Sequence, residues 1–190
     1  MDIHREPVII FADAVGSPNV LLPIEQDTLD TAYLMFSASG RSVKLEEKQS
    51  STLTFTHRLR GGQQIRKTFT FAADKYDIEL KIEFVGIRSL TEAYSYELQW
   101  QSPLLSTEQN IKDDMGHAKA YALANKELEK YDVGGDQQLS EGQDWNTTWI
   151  AARTKYFATA IIPQDTSSNG FSVKGYSSKD QQGNALKRYT

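Results

Sequence analysis

The chain has 190 residues, 21 Lys or Arg against 25 Asp or Glu for a formal charge of −4, and no cysteine. That length suits one domain with a core that needs no cross-links, and the missing cysteines remove disulfides, thiolate metal sites and a cysteine nucleophile. Basic residues are scattered, which disfavours nucleic acid and anionic lipid headgroups because both bind clustered cations; no apolar run approaches the ~20 residues that span a bilayer.

From residue 1 to 31, short apolar runs (Val8 to Phe11, Val20 to Leu22) alternate with Pro7, Pro18 and Pro23, a pattern of short strands and turns. Tyr33-Leu34-Met35-Phe36 predicts a buried strand ending at Ser39-Gly40, and Val43 and Leu45 predict the start of another. A hairpin follows. Leu53, Phe55, His57 and Leu59 alternate with Thr54, Thr56 and Arg58, Gly61-Gly62 interrupts, and Ile65, Lys67, Phe69 and Phe71 resume the alternation. The single Arg60-Gly61-Gly62 reads as a turn rather than an RNA-binding motif. Tyr76, Ile78, Leu80, Ile82 and Phe84 oppose Asp77, Glu79, Lys81 and Glu83, which predicts a half-buried strand with a solvated, charged face. Tyr94, Tyr96, Leu98 and Trp100 repeat the pattern until Ser102-Pro103 closes it.

Leu104 to Gly116 reads as a polar, acidic loop whose oxygens lack the spacing of an EF-hand. His117 to Tyr131 supports two readings. Its Ala, Lys, Leu and Glu favour a helix, whereas Ala118, Ala120, Ala122 and Ala124 on every second position favour a hairpin turning at Asn125-Lys126, the reading preferred here. Gly134 to Asp144 reads as a loop delivering Trp145. Between Tyr156 and Ile162 both alternating faces are apolar or small, which predicts a central strand covered on both sides and stopped by Pro163. Phe171, Val173 and Tyr176 predict one more strand, and a polar tail runs to Thr190. Nine to eleven strands and few helical periods point to an all-β sandwich.

Chemistry-bearing motifs are sparse. His4, His57 and His117 stand at no metal-ligand spacing, and no nucleophile elbow, phosphate loop or zinc-binding His pair occurs, so no catalytic, cofactor or metal residue is assigned. Trp100, Trp145, Trp149 and Tyr156 are the candidate cleft or interaction residues, suited to stacking sugar rings or holding apolar peptide, although core and rim packing of the sandwich is the preferred account of such side chains. A pair of distant carboxylates suited to glycoside chemistry leaves no motif to find.

Four blocks in order also resemble a known family. Trp149 followed by Lys155-Tyr156-Phe157-Ala158-Thr159-Ala160 and Ile162-Pro163 is similar to the hallmark of the large periplasmic domain of YidC-type membrane protein insertases, in the YidC/Oxa/Alb family. So are Ile65 to Phe71 with Lys75 to Ile78, Ser102 to Asn110, and Phe171 after Asn169-Gly170. The resemblance implies a β-supersandwich of mainly antiparallel strands, mutarotase-like in shape. It implies a single domain over residues 1–190 that projects into the periplasm from a multi-pass inner-membrane protein. It further implies partners among Sec translocon components and nascent membrane proteins, no nucleic acid and no cofactor, with insertion carried by transmembrane helices absent from these residues. The expectation is a non-enzymatic docking or substrate-contact module. The chain is expected to be a fragment lacking the domain's closing strands, with Met1 introduced, and to self-associate through unpaired strand edges. A carbohydrate-binding or carbohydrate-active sandwich is the rival reading, and a cytosolic scaffold the third.

Overall fold

The computed structural model describes Phe11 and residues 18–24, 27–87, 95–134 and 137–190. Those residues form two compact units, one of Asn19–Leu98 and one running from Gln99 to Thr190 that also takes Phe11. The strand pairings whose registers are described are antiparallel, and strands far outnumber helices among the described residues, so the fold is all-β as expected.

The first unit contains one sheet in the order β2-β1-β7 and one in the order β3-β4-β5-β6. Its strands are β1 (Asn19–Ile24), β2 (Asp27–Asp30), β3 (Ser37–Ala38), β4 (Ser50–Arg58), β5 (Gln64–Ala72) and β6 (Glu79–Val85), with β7 (Glu97–Gln99) at its boundary. Leu22, Ile65 and Ile87 form its buried centre, and Ile24, Leu29, Leu34, Phe36, Leu59 and Phe84 pack around them. The β4–β5 hairpin falls where the alternation places it, from Ser50↔Ala72 to Arg58↔Gln64. Gly61 and Gly62 hold φ of 84° and 88° in its connection, a region that L side chains avoid.

One polar knot sits inside this apolar unit. Lys67 is buried and its Nζ donates to Thr31 Oγ1 at 3.0 Å, while the Val20 N–H donates to the same oxygen at 2.7 Å. Asp30 accepts from Asn19 Nδ2 at 2.9 Å and from the Ala32 N–H at 2.8 Å. Burial lowers the Lys67 ammonium to about 8, with the Asp30 carboxylate opposing that shift.

Three expectations fail here. Tyr33 to Phe36 is not a buried strand, because Asp30 caps a 3₁₀ turn at Thr31–Tyr33 that leaves Tyr33 and Met35 84% and 90% exposed. Only Ser37–Ala38 then pairs with β4, and Val43 and Leu45 lie in unpaired chain. The strand predicted from Tyr76 begins at Glu79, since the ladder to β5 ends at Thr70↔Glu79 and leaves Tyr76 and Ile78 beyond it. Alternation reports which side chains share a face, but not whether a neighbouring strand is there to pair.

The second unit contains a sheet ordered β12-β11-β8-β9 and a sheet ordered β10-β13-β14. Their strands are β8 (Lys119–Ala124), β9 (Glu127–Tyr131), β10 (Gln138–Gln143), β11 (Thr147–Arg153), β12 (Ala158–Ile161), β13 (Phe171–Lys179) and β14 (Ala185–Tyr189). The ambiguous segment is the hairpin: Asn125 and Lys126 take φ of 50° and 68°, as a two-residue primed turn requires. Ala118, Ala120, Ala122 and Ala124 are all buried, and the core joins Met115, Ala118 and Ala120 to Val133, Val173 and Tyr189. A Cβ on Gly175 would stand 3.0 Å from two ring carbons of Tyr189, so glycine is what lets that ring lie against β13.

Four further corrections belong to this unit. The acidic stretch contains a helix, α1 (Ile111–His117), begun by Asn110 accepting from the Asp113 N–H at 3.2 Å; seven residues are too few to show a period. The loop predicted over 134–144 contains β10, and the polar tail ends in β14 with Tyr189 buried. The strand expected at the centre of its sheet, β12, lies at the edge, with Tyr156 and Ile162 61% and 55% exposed around it; the central pair is β11 and β8. It does end before Pro163. The described residues hold fourteen strands rather than nine to eleven, because several are too short to announce themselves. The stretches Val8 to Ile10 and Tyr94 lie outside the described residues.

A candidate docking surface

The β12-β11-β8-β9 sheet has two unlike faces. Registers Ala152↔Ala120↔Tyr131 place those residues together on the core side. The alternate residues, Ala151↔Tyr121, Trp149↔Leu123, Leu123↔Leu128 and Ala151↔Ala160, share the other side. Leu128 is 60% exposed there, and Trp149, Tyr121 and Leu123 are half-buried. A strip of apolar side chains therefore crosses all four strands away from the unit's core.

A bulge builds this arrangement. Thr147 pairs with Ala124 and Trp149 with the adjacent Leu123, so Thr148 is an extra residue in β11. Without it Thr147 and Trp149 would share a face. With it Thr147 turns inward, buried and donating from Oγ1 to the Trp145 carbonyl at 2.7 Å, while Trp149 turns outward.

The rim at one end is the β11–β12 turn. The Thr154 N–H donates to the Phe157 carbonyl at 2.8 Å, which makes Lys155 and Tyr156 the turn's tip. Helix α1 clamps that tip: the Lys155 N–H donates to buried Asp114 Oδ1 at 2.9 Å, and Lys155 Nζ meets Asp113 Oδ2 at 2.6 Å. The bond to Asp113 raises the Lys155 ammonium, and the bond from Lys155 holds the Asp113 carboxyl below the usual range. Lys155 Nζ also lies 5.0 Å from the Tyr156 ring centroid. Two open concavities flank the clamp, one of about 350 Å³ lined by Thr107, Glu108, Tyr156 and Phe157 and one of about 390 Å³ along α1.

Trp149 and Tyr156 thus stand on one hairpin. Trp100 packs elsewhere, its ring 5.4 Å from that of Phe11 and its Nε1–H donating to the Ser102 carbonyl at 2.9 Å. Trp145 is half-buried just before β11. Among the described residues no ring contact joins any two of these four side chains. Leu123, Leu128 and Ile162 were not singled out from sequence, although Tyr121 and Leu123, opposite the alanines, carried the signal. His57 and His117 each spend Nδ1 on a backbone carbonyl, Met35 O at 2.8 Å and Asp113 O at 2.9 Å. No group of three His, Asp or Glu among the described residues is placed to hold a metal ion.

Fold and surface together define an all-β module with an exposed apolar sheet face. The family described as the YidC periplasmic domain matches residues 19–190, and the chain belongs to it. Similar proteins include the membrane protein insertase YidC of Chlorobium luteolum, 28% identical over all of this chain and 32% of its own length. The YidC of Chlorobium phaeovibrioides is 30% identical over all of this chain and 33% of its own length, and that of Prosthecochloris aestuarii is 31% identical over 71% of the chain and 24% of its own length. The chain spans about a third of the length of the first two. No solved structure matches it.

Proposed function

We propose that residues 1–190 are one periplasmic domain of a YidC-type inner-membrane protein insertase and act there as a non-catalytic docking or substrate-contact module. Family membership supports the setting. The observation that carries the docking role is the apolar strip Trp149, Leu123 and Leu128, because an exposed contiguous apolar patch on a folded domain marks an interaction site. Its fitting partners are apolar segments of membrane proteins in transit or components of the Sec translocon. Insertion itself belongs to membrane-spanning parts of the parent protein. No helix among the described residues is long and apolar enough to cross a membrane. Nothing favours the carbohydrate reading, since the tryptophans do not meet as a stacking platform.

The test is photo-crosslinking in the full-length insertase, with a photoreactive residue at Leu128 during synthesis of a membrane protein substrate. The expected adduct is a translocon subunit or the nascent chain, and Trp149→Glu is expected to remove it. Failure to crosslink at Leu128 and Ile162, with normal crosslinks from the membrane helices, would overturn the docking role.

A further inference from the structure

Sheet edges expose unpaired N–H and C=O groups, and soluble proteins blunt them with charged side chains. The four sheets present as edges β2 and β7, β3 and β6, β10 and β14, and β9 and β12. Asp27 and Asp30 guard β2, Glu97 guards β7, and Glu79, Lys81 and Glu83 guard β6. Glu141 guards β10, Lys187 and Arg188 guard β14, and Glu127, Glu129 and Lys130 guard β9. The β3 strand has two residues. Among the described edge strands only β12, Ala158-Thr159-Ala160-Ile161, is longer than that and carries no charge.

Its hydrogen-bond pattern is open. The Thr154–Phe157 bond sets the phase of the ladder, so Thr159 and Ile161 point their backbone groups at β11, while Ala158, Ala160 and Ile162 point theirs outward. The Ile162 carbonyl accepts from Gln164 Nε2 at 3.1 Å. The N–H and C=O of Ala158 and Ala160 have no partner among the described residues. Pro163 falls in the phase that faces β11, so its missing donor does not blunt the free side.

We propose that β12 pairs with β12 of a second copy of this chain, antiparallel about a two-fold axis at Ala160. In that register Ala160 exchanges both its bonds with its symmetry mate, and the Ile162 N–H of each copy reaches the Ala158 carbonyl of the other. Only alanine side chains meet at the axis. Lys155 lies five residues before Ala160 and Asp165 five after it, so the axis brings unlike charges toward each end. The two four-stranded sheets join into one, and the apolar strips that end at Ala160 and Ile162 become continuous across the seam. Such an interface is closed and isologous, which limits assembly to a dimer.

Sedimentation velocity of the 190-residue chain over a wide concentration series tests this, with circular dichroism to verify folding. The expected result is a monomer–dimer equilibrium. Ala160→Pro removes only an outward N–H, and Ala160→Lys sets two like charges across the axis; each is expected to weaken dimerisation at least about tenfold. Leu128→Lys, on the guarded β9 edge, is expected to leave it unchanged. Should Ala160→Pro disturb the fold, Ala160→Lys decides, because that side chain is exposed. A monomer at every concentration, open polymers, or a dimer that survives both Ala160 variants overturns the proposal. So does a dimer lost equally in Leu128→Lys, which would make the face, and not the edge, the contact.

Discussion

The two units fill their interiors by opposite means. In Asn19–Leu98 the buried side chains are large and branched, Leu22, Ile65 and Ile87, and a lysine, a threonine and an asparagine are buried beside them. In the second unit the sheet's core side is a row of alanines, and bulk is supplied from elsewhere by Met115 and Tyr189. A core made of large groups tolerates little loss, whereas one made by close approach of backbone tolerates little gain. The comparison also explains the polar contacts. The first unit brings a cation inward and satisfies it locally. The second buries Asp114, Thr147 and the Tyr189 phenol, whose hydroxyl accepts the Val133 N–H at 2.9 Å and donates to the Ala118 carbonyl at 3.3 Å.

The strongest way to break that contrast is to change volume in both directions. Ile65→Ala is expected to cost about 3 kcal/mol in urea unfolding, through lost burial and a residual cavity. Ala120→Leu, which adds volume where none is free, is expected to cost about 2 kcal/mol, and Ala120→Gly far less than Ile65→Ala. Equal sensitivity of both sites to truncation would erase the distinction.

Removing the phenol oxygen is the next effect in size. Tyr189→Phe leaves the Val133 N–H buried without its acceptor, and a loss of about 1–2 kcal/mol in thermal or urea unfolding is expected. Burial pushes the Tyr189 hydroxyl up to about 12, so the ionised phenol is disfavoured in the folded state and stability declines as pH rises from 10 towards 12. Tyr189→Phe flattens that decline.

A last effect sharpens the comparison rather than breaking it. Lys67 has a folded value of about 8 against an ordinary 10.5, so between those values the unfolded chain binds more protons than the folded one. Stability of the first unit is therefore expected to rise with pH from 8 towards 10, and to be lowest, from this group, below 8. Lys67→Met removes the rise. A flat profile in the wild type over that window, followed by unfolding at several pH values, would show that the buried ammonium is fully compensated by Thr31 and Asp30.

Some of this architecture can be read directly from residue order. The β4–β5 hairpin, the Ala-rich β8–β9 hairpin and β13 follow from alternation of side chains and from turn residues that accept positive φ, both local properties of the chain. The family is legible too, from Trp149 to Pro163 and three weaker blocks in order, and the match over residues 19–190 agrees with it. The docking surface is legible only in part. Trp149 and Tyr156 stand out as aromatics, but which face Trp149 takes depends on Thr148 being unpaired against β8, and no pattern in β11 announces that bulge. Helix α1 and strand β10 are likewise silent, being too short for any period or lying in polar sequence, whereas β7 is the described part of the strand predicted from Tyr94 to Gln101.

Residue order by itself determined that this chain is a β protein without cysteine chemistry, where its best hairpins turn, and to which family it belongs, because each rests on composition or on neighbours a few positions apart. Tertiary structure alone decided that β12 is an edge, that an apolar strip faces away from the core, and that Lys67 and Tyr189 are buried with partners 36 and 56 residues away in the chain. The physical reason is that an apolar side chain looks the same in sequence whether a second layer covers it or not. Coverage is a property of what packs against a strand, and that is settled by contacts between distant residues.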